Sequence, residues 1–306
     1  KFSNVIILLS CIVIVHNTYS QQDSQYTQYM YNTIVVNPAY AGSRGLFSIN
    51  SIYRTQWVGF NGAPKTLTAS FNSPVGQRGV GLGFSFINDE IGPSKESNLA
   101  IDFSYTINTS EKTKLSFGLK GGFSLYSVNF SSSSLNYDRS DPNTIDIKNE
   151  FSPIFGVGLY LHSEDWYVGL SSANLLETKY YKGNVIVTTA TEKAHFYLIA
   201  GYVFELSSNT KFKPAILAKA VSGAPLAVDV SANFLFNEKI TLGVGYRWNA
   251  AVSALLGFQV SDQIMIGYAY DYDTTDVGSY NSGSHEIFLR FELFNTIKRA
   301  TNPRFF

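Results

Sequence analysis

Residues 99–107 read Leu99-Ala100-Ile101-Asp102-Phe103-Ser104-Tyr105-Thr106-Ile107. Every odd position is apolar or aromatic and every even one is small or polar. A period of two belongs to an extended strand, whose side chains point alternately to opposite faces. The same rule recurs along the chain. Val80, Leu82, Phe84 and Phe86 alternate with Gly81, Gly83 and Ser85, and Leu115, Phe117, Leu119, Phe123 and Leu125 share one face. Ile240, Leu242, Val244, Tyr246 and Trp248 alternate with Thr241, Gly243, Gly245 and Arg247. Ile264, Ile266, Tyr268, Tyr270 and Tyr272 follow suit, as do Ile287, Leu289, Phe291 and Leu293 against Glu286, Phe288, Arg290 and Glu292.

A water-soluble sandwich alternates too, but it rarely gathers so many Gly and Ser on one face with so few charges. Charged residues are 15% of the chain, against about a quarter in soluble domains. Aromatics are also 15%, nearly all of them Phe and Tyr; Tyr, apolar in body and polar at its tip, suits a membrane–water boundary. No mature stretch is long and apolar enough for a membrane-spanning helix. A chain that crosses lipid without helices must close its strands into a barrel, because lipid leaves open backbone groups unsatisfied.

The expected fold is therefore all-β: a transmembrane antiparallel barrel of fourteen strands in a bacterial outer membrane, with a short N-terminal periplasmic or plug segment. The strands fall near 45–56, 65–73, 78–88, 97–109, 112–128, 151–163, 165–174, 193–206, 211–221, 225–236, 239–249, 251–261, 263–272 and 284–294. Every second link is short and polar, while most of the others (57–64, 89–96, 129–150, 175–192 and 273–283) are longer. Short periplasmic turns and long external loops are the outer-membrane arrangement, and this register puts both termini in the periplasm.

Residues 1–20 read as a signal peptide. A basic start at Lys1 precedes an apolar run from Val5 to Val15, and the small residues Thr18 and Ser20 precede a cleavage point at Gln21. Cys11, the single cysteine, follows Leu8-Leu9-Ser10 like a lipoprotein box, but the apolar run continues past it, so the match reads as coincidence. The mature chain then has no thiol chemistry. Residues 21–44 form a leader or plug segment. Gln22, Tyr26, Tyr29, Met30 and Thr33 have a loose helical spacing that Pro38 and Gly42 break, which suggests a short helix inside or beneath the barrel, with a disordered periplasmic leader as the equal alternative. Residues 45–294 are the barrel, and 295–306 a periplasmic tail.

Net charge is zero, which excludes the electrostatic footprint of a nucleic-acid binder. The Gly-rich stretches Gly79–Gly83 and Gly243–Gly245 lie inside alternating strands, where glycine marks tight wall packing and not a phosphate loop. His162, His195 and His285 are isolated. Asp271, Asp273 and Asp276 raise the possibility of an external calcium site, although their spacing lacks the glycine and final Glu of a known loop. Asp102, Asp229, Arg247, Glu286, Arg290 and Glu292 fall on polar faces that point to the lumen, as an internal ion-pair network or as plug contacts. The loop of Ser131–Ser134, Asp138, Arg139, Asp141, Asp146, Lys148 and Glu150 is a candidate partner surface. No catalytic, cofactor-binding or metal residue is assigned, no cofactor is expected, and the partner-binding residues are not identified.

Three stretches carry a specific resemblance: Gln21-Gln22-Asp23 through Gln28-Tyr29-Met30 to Asn37-Pro38-Ala39-Tyr40-Ala41-Gly42; Tyr53-Arg54-Thr55-Gln56-Trp57-Val58-Gly59 with Gly62-Ala63-Pro64-Lys65-Thr66; and Gly283-Ser284-His285-Glu286-Ile287. Weaker similarity runs through Asp89–Pro93 and Pro153–Asn174. Together they resemble the PorP/SprF family of outer-membrane proteins of the type IX secretion system of Bacteroidota. The resemblance implies an integral outer-membrane barrel linked to export, surface adhesins and gliding motility. Its partners would be a secreted adhesin or its C-terminal domain, other type IX secretion components and membrane lipid. It supplies no catalytic residues. In structural terms the Asn37–Gly42 stretch turns the leader into the first strand, and Trp57 is a candidate interface anchor. Two other readings compete. An outer-membrane channel for hydrophobic small molecules, of the long-chain fatty-acid transporter type, also has fourteen strands and an N-terminal plug, and needs an apolar pocket or lateral opening. An outer-membrane enzyme such as a lipase needs a convergent nucleophile and base.

Overall fold

The computed structural model describes residues 25–131, 146–179 and 191–293. Residues 1–20, the 295–306 tail and most of the 129–150 loop lie outside the described residues. The wall consists of β1 (Phe47–Thr55), β2 (Lys65–Val75), β3 (Val80–Ile91), β4 (Ser94–Asn108), β5 (Lys114–Val128), β6 (Ile147–His162) and β7 (Trp166–Ser172). It continues with β8 (His195–Tyr202, resumed as Phe204–Ser207), β9 (Thr210–Val221), β10 (Ala227–Phe236), β11 (Ile240–Arg247), β12 (Ala251–Gln259), β13 (Ile264–Asp273) and β14 (Ser284–Leu293). Each strand pairs antiparallel with its neighbour. β1 pairs with β14 from Phe47↔Leu293 to Thr55↔His285, which closes a ring of fourteen strands.

The alternation sorts the two faces in the sense opposite to a soluble barrel. The outward set is apolar and exposed, with Ile49, Leu67, Phe71, Leu82, Ile101, Phe103, Leu119, Leu170, Val244, Leu256 and Leu289 among its members. The inward set is small or polar and buried: Ser48, Asn50, Thr68, Asn72, Asp102, Ser104, Ser116, Asn233 and Thr241. A surface of this kind is stable only against lipid. The chain is an integral outer-membrane β-barrel, crossing the bilayer with strands.

The wall is uneven. β3 and β4 extend through what the sequence suggests is a loop at 89–96. Ile91 pairs with Ser94 across a tight Gly92-Pro93 turn, and the exposed pair Lys95–Glu90 (2.9 Å) ties the extension. Strands above the bilayer need no apolar face, so the hydrophobic signal fades there while pairing continues. β6 likewise starts at Ile147, earlier than the pattern indicates. The 175–192 segment carries a two-residue pairing of its own, Thr178–Lys179 with Thr191–Glu192, outside the wall. In β8 the pairing lapses between Gly201↔Ala215 and Phe204↔Phe212. Pro214 lies at this gap and has no N–H to donate; on the other side of β8 the register with β7 continues, the Val203 amide donating to the Asp165 carbonyl at 2.7 Å.

The end bearing the longer loops is the outer one. There, backbone bonds join three connections: Val58 N–H to Gly283 O (2.9 Å), Ser282 N–H to Val58 O (2.8 Å) and Gly92 N–H to Gly62 O (2.9 Å). Trp57, Val58, Phe60 and Lys65 line an open depression of about 570 Å³ at this face. Trp57 stands in this loop with φ +46°, its amide donating to Ser284 Oγ at 3.2 Å.

Candidate functional site

The lumen holds the leader. Tyr29–Tyr31 and Pro38–Tyr40 form 3-10 turns on either side of a single α-helical turn, Thr33–Val36. Asn37 caps the last of these by accepting from the Ala39 amide at 3.0 Å, and Pro38 follows at its first position. Every residue from Thr27 to Ala41 is buried, and Gln28, Ile34, Asn37 and Ala39 have no exposure at all. A water-filled channel would leave the inward wall positions wet. Here they are packed, with Asp229 and Ser231 on β10 half-buried.

The leader runs downward, so its first described residues lie at the outer end of the lumen and not on the periplasmic side, where the strand register alone puts them. Its outer end is gripped by a polar clasp. The Arg54 guanidinium donates to Asp271 Oδ2 (2.7 Å), Glu286 Oε2 (3.3 Å) and Thr27 Oγ1 (2.9 Å). The Thr27 hydroxyl passes its own hydrogen to the Asp271 carboxylate (2.7 and 2.8 Å). Glu286 takes the backbone N–H groups of Thr27 (2.9 Å) and Gln28 (2.8 Å), one on each oxygen. The side chains of Arg54, Asp271 and Glu286 are 2%, 1% and 0% exposed. Charges so deep persist only when paired and fully hydrogen-bonded. Here the leader supplies the Thr27 hydroxyl and two backbone N–H groups, and of the Arg54 nitrogens the Nε has no partner among the described residues.

Lower down, Lys120 pairs with Asp102 (2.8 Å) and reaches Ser85 Oγ (3.3 Å) and the Ile34 carbonyl (3.5 Å). Ser171 Oγ donates to Val36 O (2.7 Å), Asn37 Nδ2 to Leu159 O (3.0 Å) and Ser104 Oγ to Ala41 O (2.7 Å). Tyr31 stacks on Phe288 with centroids 4.4 Å apart, and Tyr40 meets Tyr160 edge-on at 5.5 Å. At the periplasmic end Arg44 pairs with Glu292 (2.6 Å), which Arg290 also approaches (3.5 Å).

Wall glycines make room for this path. A Cβ on Gly118 would stand 2.1 Å from Ala39 N, one on Gly158 2.1 Å from Asn37 Oδ1, and one on Gly81 2.2 Å from Ala41 O. The obstacles at Gly118 and Gly81 are backbone atoms of the leader, which cannot swing aside. Gly118→Ala is expected to lower stability by about 1–3 kcal/mol through overpacking, read as a shift in the urea midpoint in liposomes. An unchanged midpoint would show that the leader has room to retreat.

The lumenal charges expected from the sequence all point inward and find partners: Asp102 with Lys120, Asp229 with Arg247 (2.7 Å), Glu286 with Arg54, and Glu292 with both Arg44 and Arg290. Pattern reading missed Arg54, Lys120 and Thr27 as their partners. Arg54 shares the inward phase of Ser48 and Asn50, and Lys120 that of Gly118, so the face was available but not the contact. The calcium reading of Asp271, Asp273 and Asp276 is corrected. Asp271 turns into the lumen to neutralise Arg54, while Asp276 lies exposed in a 3-10 turn outside. The histidines stay apart. His162 and His195 are buried beside Tyr160 and Tyr197, at opposite ends of the wall, and His285 faces outward with its Nδ1 bonded to Tyr268 Oη. In the 129–150 loop, Asp146 accepts from Ser131 Oγ (2.6 Å) and from the amides of Phe130 (2.9 Å) and Ser131 (3.2 Å). These bonds, the Ser131 hydroxyl first, hold its carboxyl below the usual range.

The three stretches singled out in the sequence thus meet at one place. Thr27 and Gln28 come from the first, Arg54 from the second and Glu286 from the third. A family model described as type IX secretion system membrane protein PorP/SprF matches residues 18–291. No curated protein matches the chain. Similar solved structures include the outer membrane protein Omp33 of Acinetobacter baumannii (7% identity, 81% of this chain and 98% of that one, TM-score 0.49). The CymD monoaromatic hydrocarbon channel (14%, 92% and 95%, TM-score 0.49) and the P. putida toluene transporter TodX (8%, 86% and 94%, TM-score 0.47) are others. At these scores the likenesses carry no argument about what this chain does.

Proposed function

The chain belongs to the type IX secretion system membrane protein PorP/SprF family, and on that premise we propose that it is an accessory barrel that supports the export or surface anchoring of a secreted adhesin. The family is one of secretion-system membrane barrels and not of enzymes, and its members work among other secretion components. The observation that supports the reading is the filled lumen. With the leader clasped by Arg54, Asp271 and Glu286, the barrel offers surfaces in place of a passage. Its outer face is firm, because backbone bonds tie the 56–64 loop to the 274–283 loop. A partner's C-terminal domain would meet that face, and other secretion components would meet the periplasmic end.

The packed lumen counts against a standing channel for hydrophobic molecules, and the commitment of the lumenal carboxylates to cations and leader amides counts against a lumenal hydrolase. The test is a pull-down from detergent-solubilised outer membranes with a tag in the tail after Asn295. Recovery of a large secreted protein through its C-terminal domain is the expected result. Recovery of the barrel alone with bound lipid or fatty acid would overturn the reading.

A further inference from the structure

We propose that the lumen is a polypeptide-binding site, occupied by the chain's own leader as an exchangeable ligand and gripped at the cell-surface end. This builds on the secretion-partner reading by naming what the lumen recognises.

The grip has the chemistry of peptide recognition. Glu286 receives two successive backbone N–H groups, a contact any non-proline polypeptide can make, and Asp271 with Arg54 reads a hydroxyl at Thr27. Further down, the wall donates to leader carbonyls from Ser171, Ser104 and Lys120. Glycines 81 and 118 let the leader backbone approach more closely than any Cβ would permit. Most of these contacts are to main chain, so the site recognises a path and a few side chains. The leader also carries little regular structure of its own, with four residues as its longest helical element. It holds its shape because the wall holds it, as a bound peptide does. The clasp lies at the outer ends of β1, β13 and β14, one to two residues from the loops 56–64 and 274–283. A polypeptide entering from the outer face therefore comes to the clasp before the lower contacts once Gln25 and Tyr26 give way, and a competing pair of N–H groups there frees the top of the leader before anything below must move.

The test uses the full-length protein in outer-membrane vesicles with Val35→Cys, a buried leader position outside the clasp, and a membrane-impermeant maleimide. Labelling is expected to be slow in this parent. It should rise at least tenfold with Glu286→Gln, which replaces one acceptor oxygen by an amide that clashes with the N–H donors, and less with Glu286→Asp. A synthetic peptide of residues 25–42 should raise the rate saturably in the parent, and the same peptide with Thr27→Val should do so more weakly. Heat-modifiable migration of each variant in SDS gels confirms a closed barrel. Closed barrels whose Val35→Cys labelling is unmoved by Glu286→Gln and by the peptide would overturn the proposal. No secreted partner enters this measurement. A fixed leader would leave partner capture in the pull-down intact, and a mobile leader with no captured partner would leave the peptide site standing without its secretory role.

Discussion

Arg54→Ala is expected to destabilise the barrel by about 3–5 kcal/mol, the range for removing one partner from a buried ion pair. Two carboxylates lose their shared cation at once, since Asp271 and Glu286 both lean on Arg54 and both are almost fully buried. Thr27 loses a donor as well. The triple variant Arg54→Ala, Asp271→Asn, Glu286→Gln should recover part of the lost stability at neutral pH. Urea unfolding in liposomes measures both, and a single variant as stable as the parent would mean that the clasp adds nothing to the fold.

Leu119→Arg should cost about 2–4 kcal/mol by the same assay, the penalty for a cation on the lipid face at mid-bilayer. The position gains force from its neighbours. Gly118 faces the lumen and touches Ala39, Leu119 is 51% exposed on the outer surface, and Lys120 faces the lumen again and pairs with Asp102. Three consecutive residues thus have three different tolerances. A cation is native at 120, damaging at 119, and at 118 even a methyl is too large. Equal tolerance of Arg at 119 and Lys at 120 would mean that the two faces have been assigned the wrong way round.

That alternation is what made the wall readable from sequence. Wherever one face meets lipid, as in residues 99–107, composition marks the strand, its phase and its inward charges. The signal disappears where the physical cause does. Residues 89–96 and 147–150 pair as strands above the bilayer, but neither face meets lipid, so they look like loops. The leader was legible only as a segment with loose helical spacing and two breakers. Its place in the lumen depends on glycines and charges 27 to 259 residues distant, and no local pattern encodes such contacts. The type of each lumenal charge could be read, but its partner could not. Arg54 and Glu286 are separated by 232 positions and become neighbours only because β1 closes onto β14.

That closure joins the first wall strand to the last, which makes it the most non-local pairing in the ring and the slowest to form. The leader spans the seam at both ends. Thr27 and Gln28 bind Glu286 above, and Arg44 binds Glu292 below, so both contacts fall on β14. Synthesis delivers the leader first and β14 last. The leader therefore waits with unmatched donors until the final strand arrives in the correct register. A slip of one residue would turn Glu286 and Glu292 away from the lumen, leaving Arg44 unneutralised and Arg54 with Asp271 alone. The register of the last strand is thus held from inside the ring, at both ends of the lumen, by the segment that fills it.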